Sequence, residues 1–166
     1  MLIQEKFSFK KHGKIMYAMR SSLSFLEHCT YRSIVSYDEF RRELHYDLKH
    51  DRIIHYMYSH PEFGCIGTQW LYIKQGETFI STFILPEHER KGFAIPMFEK
   101  LFTYWKENEP TLEFMYTEVY VENLHSYSIQ KRLFEELGKS ADGKKAIFRI
   151  SEKRRDELLA IFNRKK

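Results

Sequence analysis

The stretch best suited to chemistry is Glu89-Arg90-Lys91-Gly92-Phe93-Ala94. It follows Thr78–Leu85, a β-branched and aromatic run that suits a strand. It precedes apolar residues at helical spacing: Phe93, Met97, Phe98, Leu101, Phe102 and Trp105. Pro86 closes the strand, because it has no amide hydrogen for a ladder. A helix that starts here leaves backbone amides without partners and adds the positive end of its dipole. Gly92 lets a ligand come close to the backbone. Together these features suit a phosphate or pyrophosphate. They also suit an ordinary strand-to-helix connection in which the glycine only turns the chain.

Groups able to move protons are scattered. Glu118 and Tyr120 are two apart on a predicted strand and so share a face. His55 and His88 carry imidazoles, the side-chain type whose ordinary range suits proton transfer. His55, Tyr56, Tyr58, Trp70 and Tyr72 suit either a sugar or peptide cleft or the aromatic face of a sheet. Cys29 and Cys65 are too few, and lack the CxxC spacing, for a disulfide framework or a zinc site.

The elements that must position these groups read in order. Ile3–Lys10 alternates apolar and polar residues and predicts a first strand, ended by Gly13. Lys14–Phe25 predicts a helix, and Tyr31–Val35 is a connection. Ser36 and Glu39 form a capping box for a helix to about His50, with Phe40, Leu44 and Leu48 in register. Arg52–Ser59, Cys65–Ile73 and Thr78–Leu85 predict three strands joined by short turns, an antiparallel meander. After the central helix, Asn108-Glu109-Pro110 is a stop and Leu112–Val121 a strand. Asn123 to about Gly138 predicts a helix with Ile129, Leu133 and Leu137 as its stripe. Lys145–Ile150 predicts a strand, and Ser151 caps a last helix, Glu152–Asn163.

The chain has 166 residues, 43% hydrophobic and 16% aromatic, which predicts one folded domain over 1–166. The last helix, about 151–166, reads as a C-terminal extension. No apolar run is long enough for a membrane span, and the N-terminus lacks the apolar core of a signal peptide. The expectation is a reduced, cytoplasmic protein without a membrane partner. A formal net charge of +4 suits an anionic ligand without naming one. The basic tail RRDELLAIFNRKK reads as a solvated face, so no nucleic-acid partner is expected.

The loop resembles motif A of the GNAT superfamily of acyl-CoA N-acyltransferases, Gln/Arg-x-x-Gly-x-Gly/Ala between a strand and a helix. Gly92 and Ala94 match its last two positions, while Glu89 stands where Gln or Arg is usual. Val119-Tyr120-Val121-Glu122-Asn123-Leu124-His125-Ser126 resembles motif B. Gly64-Cys65-Ile66-Gly67 resembles the strand these enzymes place before motif A. Tyr17–Arg20 with Ser36–Phe40 is similar to a subgroup acting on ribosomal-protein N-termini, amino-sugar nucleotides or aminoglycosides. The resemblance implies a mixed α/β fold: a central twisted sheet with an antiparallel meander, splayed strands and flanking helices.

It also implies an N-acetyltransferase with acetyl-CoA as cosubstrate and no metal. The acceptor would be a primary amine of a small molecule, such as an amino-sugar nucleotide, or a protein N-terminus. A homodimer is implied by the subgroup. The alternative is a non-catalytic acyl-CoA-binding sensor or interaction module. The coenzyme would be held by Phe83, Ile84 and Leu85 on the strand, by Arg90, Lys91, Gly92, Phe93 and Ala94 in the loop, and by Asn123 and Lys131 on the motif B helix. The reaction needs a base for the amine, a donor for the thioester oxygen and a proton for the leaving thiolate. The family's tyrosine acid would fall at Gln130, or at Phe134 in a shifted alignment. Tyr127 is therefore the candidate acid, Ser126 a second donor and Glu118 the candidate base.

Overall fold

A computed structural model describes residues 1–28, 33–50 and 54–164. Cys29, Tyr31, Arg32 and the first two residues of the strand expected at Arg52 lie outside them. Among the described residues, seven strands run in the order β1-β2-β3-β4-β5-β7-β6. The chain divides into two compact units: Met1–Ile73 with Thr82–Phe93, and Lys74–Ser81 with Ala94–Lys166.

The first unit holds β1 (Ile3–Lys6), α1 (Phe9–Arg20), α2 (Leu23–His28), α3 (Tyr37–His50), β2 (Ile54–His60), β3 (Gly64–Lys74) and the end of β4 (Glu77–Ile84). β1 pairs antiparallel with β2, and β2 antiparallel with β3. The expected first strand is too long, and the helix after it starts earlier. Ser8 is still extended, and its amide donates to His12 Nδ1 at 3.0 Å, a side chain reaching back over the first turn. Gly13 lies inside α1, not at a strand end. A Cβ there would stand 2.9 Å from the Tyr37 hydroxyl, so the glycine lets α3 come close. α3 begins at the expected cap, with the Glu39 amide donating to Ser36 Oγ at 3.2 Å, but among the described residues the return bond of the capping box, from the Ser36 amide to the Glu39 carboxylate, is not made. Met16, Met19, Phe25, Phe40, Met57 and Phe83 form this unit's core.

The second unit holds the start of β4, α4 (Ala94–Asn108), β5 (Phe114–Tyr120), α5 (Leu124–Leu133), β6 (Glu135–Lys139), β7 (Lys145–Ser151) and α6 (Glu152–Asn163). β4 and β5 run parallel, with α4 as their crossover. Among the described residues their ladder is confined to Phe79 opposite Tyr116 and Ile80 opposite Thr117. From Glu118 to Tyr120, β5 is paired by β7. α4 buries Met97, Phe98, Leu101, Phe102 and Trp105, each at 0–1% exposure. At roughly 1.5–3 kcal/mol per large apolar side chain, this stripe is the unit's main stabilising element. Pro96 falls in its first turn, where no intrahelical amide is required.

α5 is shorter than expected and ends at Leu133. Phe134 turns extended and buries its ring against Phe98 and Phe102, at 5.5 and 6.2 Å. The chain then forms β6, absent from the sequence reading, on β7. A register shift between Glu136 and Gly138 leaves Leu137 exposed in a strand, not on a helix stripe. A second closing strand and the terminal helix therefore coexist. α6 packs against α4 and β7, capped by Ser151, whose Oγ accepts from the Arg154 amide at 3.2 Å.

Candidate functional site

The loop before α4 is built in steps. The Leu85 amide donates to the Ile66 carbonyl at 2.9 Å, holding the end of β4 on β3. Gly67 makes that approach feasible: a Cβ there would stand 2.2 Å from the Phe83 carbonyl oxygen. Pro86–His88 is a 3-10 turn, in which His88 donates to the Leu85 carbonyl and Glu89 to that of Pro86. Arg90 and Gly92 then take left-handed φ values of 60° and 83°. For Arg90 this is an uncommon conformation, and alternation of hands along a loop turns successive amides the same way. Among the described residues, the amides of Arg90, Lys91, Gly92 and Phe93 donate to no other protein group.

The loop is anchored by Phe93, whose ring lies 5.9–6.0 Å from those of His60, Phe63 and His88. Lys91 Nζ stands 5.3 Å from the Phe63 ring centre, and Gly92 faces open space. Arg90, Lys91 and Glu89 are all exposed. His88 is buried, and its Nδ1 has no hydrogen-bond partner among the described residues. Phe83 is core, edge-on to Phe25 at 5.0 Å, whereas Ile84 and Leu85 are half-buried. Ala94 is the first residue of α4. A loop with four free amides and two cationic side chains fits a pyrophosphate, despite Glu89.

The motif B residues have local partners. Asn123 caps α5 through its side chain, accepting from the Ser126 amide at 3.1 Å. Tyr127 Oη donates to Glu136, 2.9 Å from both carboxylate oxygens. That hydrogen bond, with burial and the carboxylate's charge, raises the phenol above its ordinary pKa. Lys131 Nζ lies 6.0 Å from the Tyr127 ring centre. Gln130 is buried, with Oε1 unpartnered among the described residues, and Phe134 belongs to the core. Glu118 is clamped by Lys74 Nζ at 2.5 Å and Lys145 Nζ at 3.5 Å, with Lys145 also 5.0 Å from the Tyr120 ring centre. The structure thus brings Glu118 and Tyr120 to one lysine, and Asn123 to Ser126. It ties Tyr127 to Glu136 instead.

Sequence reading missed a pocket inside the first unit. Phe25, Phe40 and Trp70 wall it, Glu43 and Asp47 border it, and His55 also lines it. The available signal was two carboxylates at i,i+4 beside the Phe40–Leu44 stripe of α3. His55 and Tyr58 are both buried, so the aromatic run around them is largely sheet face.

No family model and no curated protein matches the sequence. Solved structures do match. A spermidine N-acetyltransferase from Vibrio cholerae, in complex with CoA and spermine, gives a TM-score of 0.79 at 17% identity, over 93% of this chain and 97% of that one. This chain has the GNAT fold. The same Vibrio enzyme as a dodecamer in an intermediate state gives 0.71 at 18%, over 92% and 95%. A domain from Methanocaldococcus jannaschii gives 0.74 at 11%, over 91% and 98%. At these identities the likeness is one of fold. Arg90–Ala94 stands at the strand-to-helix junction where the resemblance to motif A was read, and Asn123 opens α5, where the resemblance to motif B was read. Among the described residues there is no cluster of metal-ligating side chains, and no helix is long and apolar enough to cross a membrane.

Proposed function

We propose that this chain is an acetyl-CoA-dependent N-acetyltransferase whose acceptor is a small-molecule primary amine. The observation that carries the reading is the run of free amides at Arg90–Phe93, opening α4 beside two cations. The fold supports it, since a solved counterpart is a complex with CoA and spermine. That counterpart favours a flexible alkyl amine over an amino-sugar nucleotide or a protein N-terminus. Another is dodecameric, which keeps the expected self-association in view.

Acetyl-CoA supplies a thioester whose acyl carbon the neutral amine attacks, so that a C–N bond forms and the C–S bond breaks. The chain's own residues have four tasks. Arg90–Ala94 bind the pyrophosphate through backbone amides, with the Arg90 and Lys91 charges adding to the potential. Phe83, Ile84 and Leu85 orient the pantetheine arm along β4. A proton must leave the amine nitrogen, and Glu118 can take it only by exchanging a lysine contact. Another must reach the sulfur, and Tyr127 can give it only by leaving Glu136, with Ser126 Oγ the neighbouring donor. Asn123 acts on the helix start rather than directly on coenzyme, and Lys131 is left as the phosphate contact from α5.

Thermal unfolding with and without acetyl-CoA tests the site. Ligand at about 100 times its dissociation constant stabilises the fold by roughly 2.7 kcal/mol, a rise of a few degrees. Thiol release from acetyl-CoA with spermidine or spermine then tests the reaction. No thermal shift at millimolar acetyl-CoA sinks the proposal. A shift without thiol release from any amine supports the second reading, a non-catalytic acyl-CoA binder. The ties of Tyr127 to Glu136 and of Glu118 to Lys74 are what favour that second reading.

A further inference from the structure

The outer side of α3 lines an open groove of about 920 Å³, room enough for a small-molecule ligand. Arg41, Arg42 and Lys49 line it, with Asp38 and His45, and all five side chains are exposed. Arg41, His45 and Lys49 are spaced i, i+4, i+8 and so form one row. The row spans about 12 Å at 1.5 Å of rise per residue. Arg42 stands beside it. Phe9 of α1 also lines the groove, half-buried, with its ring 6.1 Å from His45 and 6.5 Å from Phe40.

The charges of α3 are sorted by side. Its other acids, Glu39, Glu43 and Asp47, fall at i, i+4, i+8 in a separate row, and none of them lines the groove. Glu43 is turned to Arg20 at 2.9 Å. Arg41, Arg42 and Lys49 make no ion pair among the described residues, not even with Asp38, one turn from both arginines. Arg41 stands instead 6.0 Å from the Tyr37 ring centre. Three permanent cations against one carboxylate make the potential over the groove positive.

The residue types specify the anion. Two neighbouring arginines offer planar forks that match phosphoryl oxygens bidentately, and Lys49 adds a point charge at the far end. A single carboxylate would fill one fork and leave the other cations unused. A chain of phosphoryl groups lying along the row meets all three. Three cations are few for a nucleic-acid track, which needs a larger basic surface. We propose that the groove on α3 binds a small oligophosphate, an anion with two or more phosphoryl groups, gripped by Arg41 and Arg42 and completed by Lys49. This goes beyond the proposed function, which assigns the coenzyme pyrophosphate to the amides of Arg90–Phe93.

The test is calorimetry at 150 mM salt on the full chain carrying Arg90→Glu and Lys91→Glu, so that the loop before α4 does not compete for the probe. The probes are tripolyphosphate, ATP and citrate. Tripolyphosphate is expected to bind about tenfold more tightly than citrate, a carboxylate anion of comparable charge. Adding Arg42→Glu and Lys49→Glu should weaken tripolyphosphate about thirtyfold. In the otherwise unchanged chain, those two substitutions should leave the thermal shift with acetyl-CoA in place. The Nε–H NMR signals of Arg41 and Arg42 in the parent should move on addition of tripolyphosphate. ATP binding more tightly than tripolyphosphate supports the groove with a nucleotide as the source; equal binding supports it with the phosphate chain alone. Citrate binding as tightly as tripolyphosphate, still arginine signals, or an affinity unchanged by Arg42→Glu with Lys49→Glu overturns the proposal. So does binding confined to low salt, which is screened surface attraction only. A short single-stranded oligonucleotide that binds more tightly than ATP overturns it in favour of nucleic acid. Loss of the acetyl-CoA shift in the Arg90→Glu, Lys91→Glu chain, with tripolyphosphate still bound, supports two separate sites.

Discussion

Two strand-to-helix junctions in this protein solve the same problem differently. At α5, the four amides left over by the helix are partly satisfied from within, because Asn123 Oδ1 accepts from Ser126. α3 and α6 do likewise through Ser36 and Ser151. At α4 the preceding residue is Phe93, which has no side-chain acceptor, and Pro96 removes one of the orphan donors. Among the described residues, the amides of Arg90–Phe93 before it have no protein partner, and Arg90 and Gly92 are left-handed there. A helix capped by its own side chain has a structural start. A helix whose start is left open, on an exposed and basic loop, keeps donors that no described protein group takes, which is what the proposed pyrophosphate site needs.

The largest effect should come from the support beneath the open junction. Gly67→Ala puts a methyl carbon into the Phe83 carbonyl, so backbone must shift; a loss of about 3 kcal/mol is expected by denaturant unfolding. If the variant is as stable as the parent, β3 does not position the end of β4. Next, the double change Arg90→Glu with Lys91→Glu should weaken acetyl-CoA binding by about 2 kcal/mol, or some thirtyfold, while barely moving Tm. Unchanged affinity would show that the open amides are not a phosphate site.

The third effect is on pH dependence. His55 is held down to about 3, chiefly by burial and then by the His12 charge. In the unfolded chain it titrates near about 6.5. Between these values the unfolded state binds the additional proton. Stability should therefore fall as pH drops below about 6.5, with a slope from this group approaching 1.4 kcal/mol per pH unit, roughly. Comparing urea midpoints of the parent and His55→Leu from pH 7 to pH 4 isolates it; identical slopes would contradict a buried neutral ring. The smallest effect belongs to the capped junction. Asn123→Ala should cost about 1 kcal/mol of stability and leave acetyl-CoA affinity nearly unchanged. A large loss of affinity instead would make Asn123 a coenzyme ligand and erase the contrast between the junctions.

Much of this fold was legible in local chemistry. The α4 stripe, the Ser36 half of its capping box, the Ser151 cap with α6, and β7 were read to within a residue or two, because period and capping are set within a turn or strand. The loop before α4 was legible for the same reason: Gly92 after a strand and before an apolar helix is a local pattern. The start of α1 was not, because Phe7 and Phe9 continue a strand's alternation while the Ser8–His12 contact and the packing of Phe9 near Phe40 favour a helix. Nor was β6. Every residue in Glu135–Lys139 is exposed, so no apolar pattern marks it, and its pairing with β7 decides its conformation.

The candidate site divides along the same line. The amino-acid sequence by itself determined where a helix would open without a cap and which charges would lie beside it. Only the tertiary structure decided that Glu118 meets Lys74, that Tyr127 donates a hydrogen bond to Glu136, and that His55 Nδ1 has no protein partner among the described residues. Amide exposure at a helix start depends on neighbours one turn away. A side chain's proton partner depends on residues brought from 9 to 44 positions along the chain, and only folding sets those distances.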